Sequence, residues 1–162
     1  MKVGIIGLGR MGEGMSRRMM KNGIEVWGYR RNLEKAAEAH TKGYISGFTT
    51  EIKYLVQQVK AGGNKGVFQL VVPAENVEDT LNDLLPLCDP GDIIIDHGNS
   101  NFKDSRRRAQ TLSESGIEYI DCGTSGGVYG LERGFCLMVG GRDSAVSYCS
   151  EIFNALSPGI DA

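Results

Sequence analysis

The chain has 162 residues, 41% of them hydrophobic and 23% charged, with a net charge of −2; this describes one globular domain able to bury a core without staples. The net charge gives no general argument for nucleic acid or a membrane as partner, and neither is expected; the glycine-broken, arginine-flanked N-terminus reads as neither a signal peptide nor a membrane span. Cys88, Cys122, Cys136 and Cys149 lie far apart and the only histidines are His40 and His97, so no metal-site spacing exists, and reduced thiols in a cytoplasmic setting are expected.

Val3 to Ile6 is a short apolar run that predicts a buried strand. Gly7-Leu8-Gly9-Arg10-Met11-Gly12 follows in G-x-G-x-x-G spacing, and Met11, Met15 and Met19 then mark one face of a helix. In this setting the first glycine permits a tight turn, the second lets a pyrophosphate approach the backbone, and the third lets the helix pack on the strand. The first N–H groups of the helix would face the phosphates. Glu25 to Tyr29 predicts a second strand, whose tip bears on the choice of dinucleotide. NAD-binding strands usually end in Asp or Glu about 20 residues past the glycines, to hold the ribose 2′-OH. Here the run is Tyr29-Arg30-Arg31-Asn32, with no acid. Arginine there can grip the 2′-phosphate of NADP through two parallel bonds, and a second guanidinium can lie on the adenine face. NADP is therefore expected ahead of NAD.

Leu33 to Ala39 reads as a helix closed at Gly43, and Glu51 to Val59 as another. Gly62-Gly63-Asn64-Lys65-Gly66 lacks the ending of a P-loop and reads as a surface turn. Val67 to Val72 is a continuous apolar run, as in a strand covered on both faces. Val77, Leu81, Leu84 and Leu85 form a helical stripe; Ile93 to Ile95 is the next strand. Asp104 to Ser113 is a helix capped near Asn101, and its Arg106-Arg107-Arg108 run reads as a solvated face. Strands at Glu118 to Asp121 and Phe135 to Val139 follow, then one final helix through Val146, Cys149, Ile152, Phe153 and Leu156, stopped by Ser157-Pro158-Gly159. The alternation predicts a Rossmann-like α/β fold, a doubly wound and mostly parallel sheet with helices on both faces.

Ligands in such folds bind outside the carboxyl ends of the strands. Three segments there carry unusual chemistry. Val72-Pro73-Ala74 could form an apolar ledge beside a nucleoside while also starting a helix. In Asp96-His97-Gly98-Asn99-Ser100, the asparagine offers a donor and an acceptor, suited to a carboxamide and a sugar hydroxyl together; an Asx or N-cap role is equally compatible. In Gly123-Thr124-Ser125-Gly126-Gly127, the glycines leave backbone N–H groups open to an anionic group, and the nearby Val128, Tyr129 and Leu131 argue against a solvated linker.

Taken together, these runs resemble the coenzyme domain of the decarboxylating 6-phosphogluconate dehydrogenases of the pentose phosphate pathway. The resemblance covers essentially the whole chain. It is most specific in Gly7 to Gly12, Asp96 to Ser100, and the run from Gly123 to Gly134, which looks like the shorter, mostly bacterial branch. It implies that Gly7, Leu8, Gly9, Arg10, Met11, Gly12, Arg30, Arg31, Asn32, Val72, Pro73 and Ala74 contact NADP. Asn99 would touch both cofactor and sugar acid, and Ser125, Gly126 and Gly127 would hold 6-phosphogluconate. Residues 1–162 would form the NADP-binding Rossmann domain of a homo-oligomeric enzyme. The family's lysine base and glutamate acid lie in a C-terminal all-helical domain, and no residue here matches them, so no catalytic group is expected within this chain and it should be inactive alone. Lys103 reads as a solvated helix lysine. His97 stands where the family usually has glycine, and Arg30 where the shorter branch often has Asp. A stand-alone NADP-binding module and a related 3-hydroxy acid dehydrogenase are the alternatives; the long glycine-rich run disfavours the latter.

Overall fold

The computed structural model describes residues 1–159. Strand β1 (Lys2–Ile6) leads into helix α1 (Arg10–Lys21), followed by β2 (Glu25–Tyr29), α2 (Leu33–Thr41), β3 (Gly47–Thr49), α3 (Ile52–Lys60) and β4 (Val67–Leu70). Helix α4 (Val77–Leu84), β5 (Ile93–Asp96), α5 (Phe102–Glu114) and β6 (Glu118–Ser125) come next. The chain then runs through the short α6 (Gly130–Arg133), β7 (Cys136–Gly140), α7 (Asp143–Tyr148) and α8 (Ser150–Leu156). The sheet order is β3-β2-β1-β4-β5-β6-β7, the Rossmann order with one added edge strand. Every pairing is parallel except β6 with β7.

The sheet separates two apolar layers. One packs Met15 and Met19 of α1 with Ile5, Ile95, Cys122, Phe135, Ile152 and Leu156. The other packs Leu55, Val59, Leu81, Leu84 and Leu112 against Phe68, Leu70 and Ile94. Alternate residues of the central strands feed opposite layers, which is why those strands read as unbroken apolar runs. The Met11-Met15-Met19 face predicted from spacing is the face α1 turns to the sheet, with Met15 and Met19 fully buried.

Four details depart from the sequence reading. Strand β3 was not predicted; it is a three-residue edge whose Gly47 lies against the Trp27 ring, too short to show a period. Strand β4 ends at Leu70, short of Val72. Strand β6 runs to Ser125 rather than Asp121, because β7 pairs with Asp121 through Ser125. Gly123, Thr124 and Ser125 are thus strand, not loop, and Gly123 makes room for Met138 opposite. The single final helix is two, broken at Cys149.

Arg18 locks the last third of the chain to α1. Its guanidinium donates to the carbonyls of Leu131 (3.1 Å), Ala155 (3.1 Å) and Ser157 (2.9 Å). These acceptors lie at the ends of α6 and α8, where helical carbonyls lack intrahelical partners. Arg18→Ala should lower stability by about 2 kcal/mol, a thermal midpoint shift of roughly 5 °C. Arg18→Lys should recover little, because one ammonium cannot reach three divergent carbonyls. Thermal unfolding by circular dichroism measures both; an unchanged midpoint in Arg18→Ala would refute the clamp.

Candidate functional site

An open cleft of about 420 Å³ lies at the carboxyl ends of β1, β2 and β4. Its floor is Ile6, Gly7, Leu8 and Gly9, one wall is Tyr29, Arg30 and Arg31, and the other is Val72 and Asn76 with Asp79, Thr80 and Asp83 of α4. The three glycines of the fingerprint have separate reasons. Gly7 has φ +105°, and a Cβ there would meet the Val71 carbonyl oxygen at 2.1 Å. A Cβ on Gly12 would meet the Gly7 carbonyl oxygen at 1.9 Å. Gly9 caps α1 at its N-terminus, and a Cβ there would meet no protein atom within 4 Å. Folding thus requires Gly7 and Gly12, whereas Gly9 leaves open space over a helix N-terminus, where a phosphate fits.

The two arginines at the tip of β2 differ. Arg30 donates from Nη1 to the Leu8 carbonyl (2.6 Å) and lies 3.8 Å from Glu13, so it braces the fingerprint turn. Arg31 lines the cleft with Asp83 on the opposite wall. Asn32 caps α2, accepting from the Lys35 N–H (2.9 Å). Arg10 does not line this cleft; it borders a smaller one with Glu13, Arg17, Gly127, Val128 and Leu131. Of Val72-Pro73-Ala74 only Val72 lines the main cleft; Pro73 precedes the one-turn 3-10 helix Ala74–Asn76 that leads into α4.

Beyond β5, the segment Asp96 to Ser100 is held from both faces of the sheet. On the α5 side, the fully buried Asp96 carboxylate accepts from Gly98 N (2.7 Å), Ser100 Oγ (2.6 Å) and the Tyr119 hydroxyl. Arg108 sits 3.6 Å from it, and donates to Ser100 Oγ (3.0 Å) and Glu78 (3.0 Å). The Tyr119 phenol is raised above its ordinary pKa by burial and by Asp96. On the α1 side, buried His97 places Nδ1 at 2.9 Å from Thr124 Oγ1 and Nε2 at 3.1 Å from Gln69 Oε1. Gln69 turns its amide nitrogen to Met19 Sδ (3.2 Å), so its oxygen faces His97 and the ring proton sits on Nε2.

Asn99 is exposed, with a left-handed φ of +53° that asparagine tolerates. Its carboxamide donates to the Thr124 carbonyl (3.2 Å) and accepts from the Thr124 N–H (3.0 Å). The backbone leaves the sheet at this point, and the side chain stands in for the next rung of the β5–β6 ladder. One amide hydrogen and one lone pair stay unused within the described residues. Ser125 ends β6, and Gly126 (φ +144°) and Gly127 (φ +50°) turn the chain; the Gly126 carbonyl accepts from Tyr129 and Gly130. Val128 and Tyr129 beside them are exposed, and Leu131 is partly buried.

Residues 2–161 match the family model described as the NAD binding domain of 6-phosphogluconate dehydrogenase. The chain belongs to this family. It is 38% identical over 161 residues to the NAD(+)-dependent, decarboxylating 6-phosphogluconate dehydrogenase of Haloferax volcanii, covering 99% of this chain and 52% of that protein. Among solved structures, Plasmodium falciparum 6-phosphogluconate dehydrogenase superposes with a TM-score of 0.85 at 29% identity, over 99% of this chain and 35% of that one. The 3-hydroxyisobutyrate dehydrogenase of Mycobacterium tuberculosis shares the fold, with a TM-score of 0.83 at 23% identity, over 97% of this chain and 52% of that one. The chain spans about half the length, or less, of the curated relatives it matches. It is a nicotinamide-dinucleotide-binding domain of the 6-phosphogluconate dehydrogenase family.

Sequence reasoning missed several residues that shape this domain's cleft. Asn76, Asp79, Thr80 and Asp83 recur at helical spacing opposite the apolar stripe Val77-Leu81-Leu84, a signal that was available. The Arg106-Arg107-Arg108 run is not one solvated face: Arg106 and Arg107 are exposed, but Arg108 is buried under the Asp96 segment. Asn101 caps α5 as predicted, accepting from Lys103 N (2.9 Å). His97 bridges β4 and β6 through Gln69 and Thr124 instead of disturbing Asn99.

Burial lowers the His97 pKa to about 4, from an ordinary 6.5. Between those values the unfolded chain is protonated at this residue and the folded chain is not. Stability from this site is therefore complete above pH 6.5 and falls as the pH drops toward 4, by about 3 kcal/mol in all. Urea unfolding across that range should show this loss, and His97→Asn should lack it. Parallel curves for the two proteins would show that other groups carry the acid dependence.

Proposed function

We propose that this chain is the coenzyme-binding and part of the substrate-binding machinery of a decarboxylating 6-phosphogluconate dehydrogenase, with NADP preferred to NAD. The observation that carries the cofactor choice is Arg31: it lines the cleft beside a β2 tip without a carboxylate, while its neighbour Arg30 is committed to Leu8. A 2′-phosphate would pair with Arg31, and the pyrophosphate would lie over Gly9 at the start of α1. Arg30 and Asn32 serve this site by fixing the β2–α2 turn, and Val72 supplies an apolar wall for the nucleoside.

Held over Gly9 and beside Arg31 and Val72, the nucleotide would supply the oxidant that takes a hydride from a carbinol carbon of 6-phosphogluconate, whose β-keto acid would lose CO₂ to give ribulose 5-phosphate. This chain's own contribution is orientation. Asn99 offers its free N–H and lone pair to nicotinamide and sugar acid. Ser125 and the Gly126 and Gly127 amides form a rim for the substrate's carboxylate end. The family's lysine and glutamate have no counterpart here, so proton transfer belongs to its helical domain. Residues 1–162 act as the dinucleotide half of a homo-oligomeric, cytoplasmic enzyme.

NAD is the second reading. The Haloferax relative is named as NAD(+)-dependent, and Asp79 and Asp83 face Arg31 across the cleft. Calorimetric titration with both dinucleotides decides between them. NADP should bind at least roughly tenfold tighter, about 1.4 kcal/mol. Arg31→Ala should erase most of that difference and leave NAD affinity nearly unchanged. Equal affinities in the unaltered chain, or tighter binding of NAD, would refute the NADP preference.

A further inference from the structure

His97 is a buried polar residue beside the Asn99 segment, and its surroundings are unusually complete. Both ring nitrogens are bonded, and His97, Gln69 and Thr124 are each at most 5% exposed. The bonds form one path across the sheet: Met19 on the fingerprint helix, Gln69 on β4, His97 after β5, and Thr124 on β6. Thr124 is also the residue whose N–H and carbonyl hold the Asn99 carboxamide. With the ring proton on Nε2, Nδ1 is an acceptor, and the Thr124 hydroxyl can donate to it. Without that acceptor the hydroxyl has only the Cys122 carbonyl of its own strand, at 2.9 Å. That bond is local to β6 and ties it to nothing else.

We infer that His97 is a positioning residue for ligand binding: by accepting from the Thr124 hydroxyl it fixes the end of β6 against the Asn99 carboxamide, so that Asn99 meets a nicotinamide dinucleotide with its free N–H and lone pair already in place. The Asp96–Arg108 cluster anchors the same segment from the other face of the sheet, so Asn99 is braced on both sides. A glycine at position 97 could not supply this brace. The inference rests on the reading that Asn99 contacts the dinucleotide.

Three variants separate positioning from mere stability. His97→Asn keeps an acceptor where Nδ1 stands and loses the link to Gln69. His97→Leu keeps bulk and loses both links. Thr124→Val removes the hydroxyl alone, and serves if His97→Leu does not fold. Each is compared with the unaltered chain by thermal unfolding, by calorimetry with NADP⁺ at a temperature where all are folded, and by the NMR signal of the Asn99 side-chain amide. His97→Leu and Thr124→Val should each weaken NADP⁺ binding about tenfold and move the Asn99 amide signal toward that of a free asparagine. His97→Asn should lose thermal stability yet bind within about threefold of the unaltered chain. Unchanged affinity and an unchanged Asn99 signal in both His97→Leu and Thr124→Val would overturn the inference. So would equal losses in His97→Asn and His97→Leu, since affinity would then follow stability rather than the acceptor. If the unaltered chain does not bind NADP⁺, the proposed function fails instead. The Asn99 amide signal in His97→Leu then still reports whether His97 holds that side chain.

Discussion

The 162 residues, purified alone and given NADP⁺ and 6-phosphogluconate in excess, are expected to generate no NADPH above background. Oxidising a carbinol needs a group to take its proton, and losing a general base or acid typically costs a factor of about 10² to 10⁴ each. Five titratable groups in or packed around the Asn99 segment are unsuited. His97 has both nitrogens bonded and is sealed from solvent. Asp96 is fully buried and already accepts from three donors beside Arg108. Tyr119 is pushed away from ionisation, and Cys122 is pushed up to about 11, in both cases mainly by burial. Lys103 is exposed on the first turn of α5 and makes no side-chain bond within the described residues. Absorbance at the NADPH band is the assay. Sustained turnover would mean that a base does lie within these residues, and Lys103 would be the first to replace.

The sequence reveals one part of this site and hides another. The fingerprint, the strand–helix alternation and the arginine pair at the β2 tip are local patterns, because a strand, a glycine turn and a helix must follow one another directly to bind a phosphate. The Asn99 segment was visible as chemistry but not as geometry. Nothing in Asp96 to Ser100 announces that the carboxamide would pair with Thr124, 25 residues later. Gly123-Thr124-Ser125 has loop composition and becomes strand only because β7 returns to pair with it. His97 likewise depends on Gln69, a polar residue in an apolar run that looked like simple strand filling. Long-range polar pairings leave little trace in local periodicity, and this site is built from them.

Arg107 and Arg108 give the sharpest case, and the largest expected loss of stability. In the sequence they are adjacent and equivalent. In the fold, Arg107 is exposed, with Glu78 at 3.1 Å and Asp104 at 3.7 Å. Arg108 has a side chain only 6% exposed and faces Asp96, whose side chain is fully buried. Removing an exposed partner of this kind costs little, so Arg107→Ala should leave the thermal midpoint nearly unchanged. Removing Arg108 strands a buried carboxylate, and Arg108→Ala should cost about 3 to 5 kcal/mol. For a chain of this length that is a drop of roughly 10 °C in thermal midpoint. Ser100 would lose one partner, and the segment carrying Asn99 would loosen, so NADP⁺ binding should weaken at temperatures where the variant is still folded. Changing the stranded acid as well separates charge from packing: Arg108→Met with Asp96→Asn should recover much of the loss that Arg108→Met alone shows. If Arg107→Ala and Arg108→Ala cost the same, the pair is the solvated face its sequence suggests, and the Asn99 segment is held by other means.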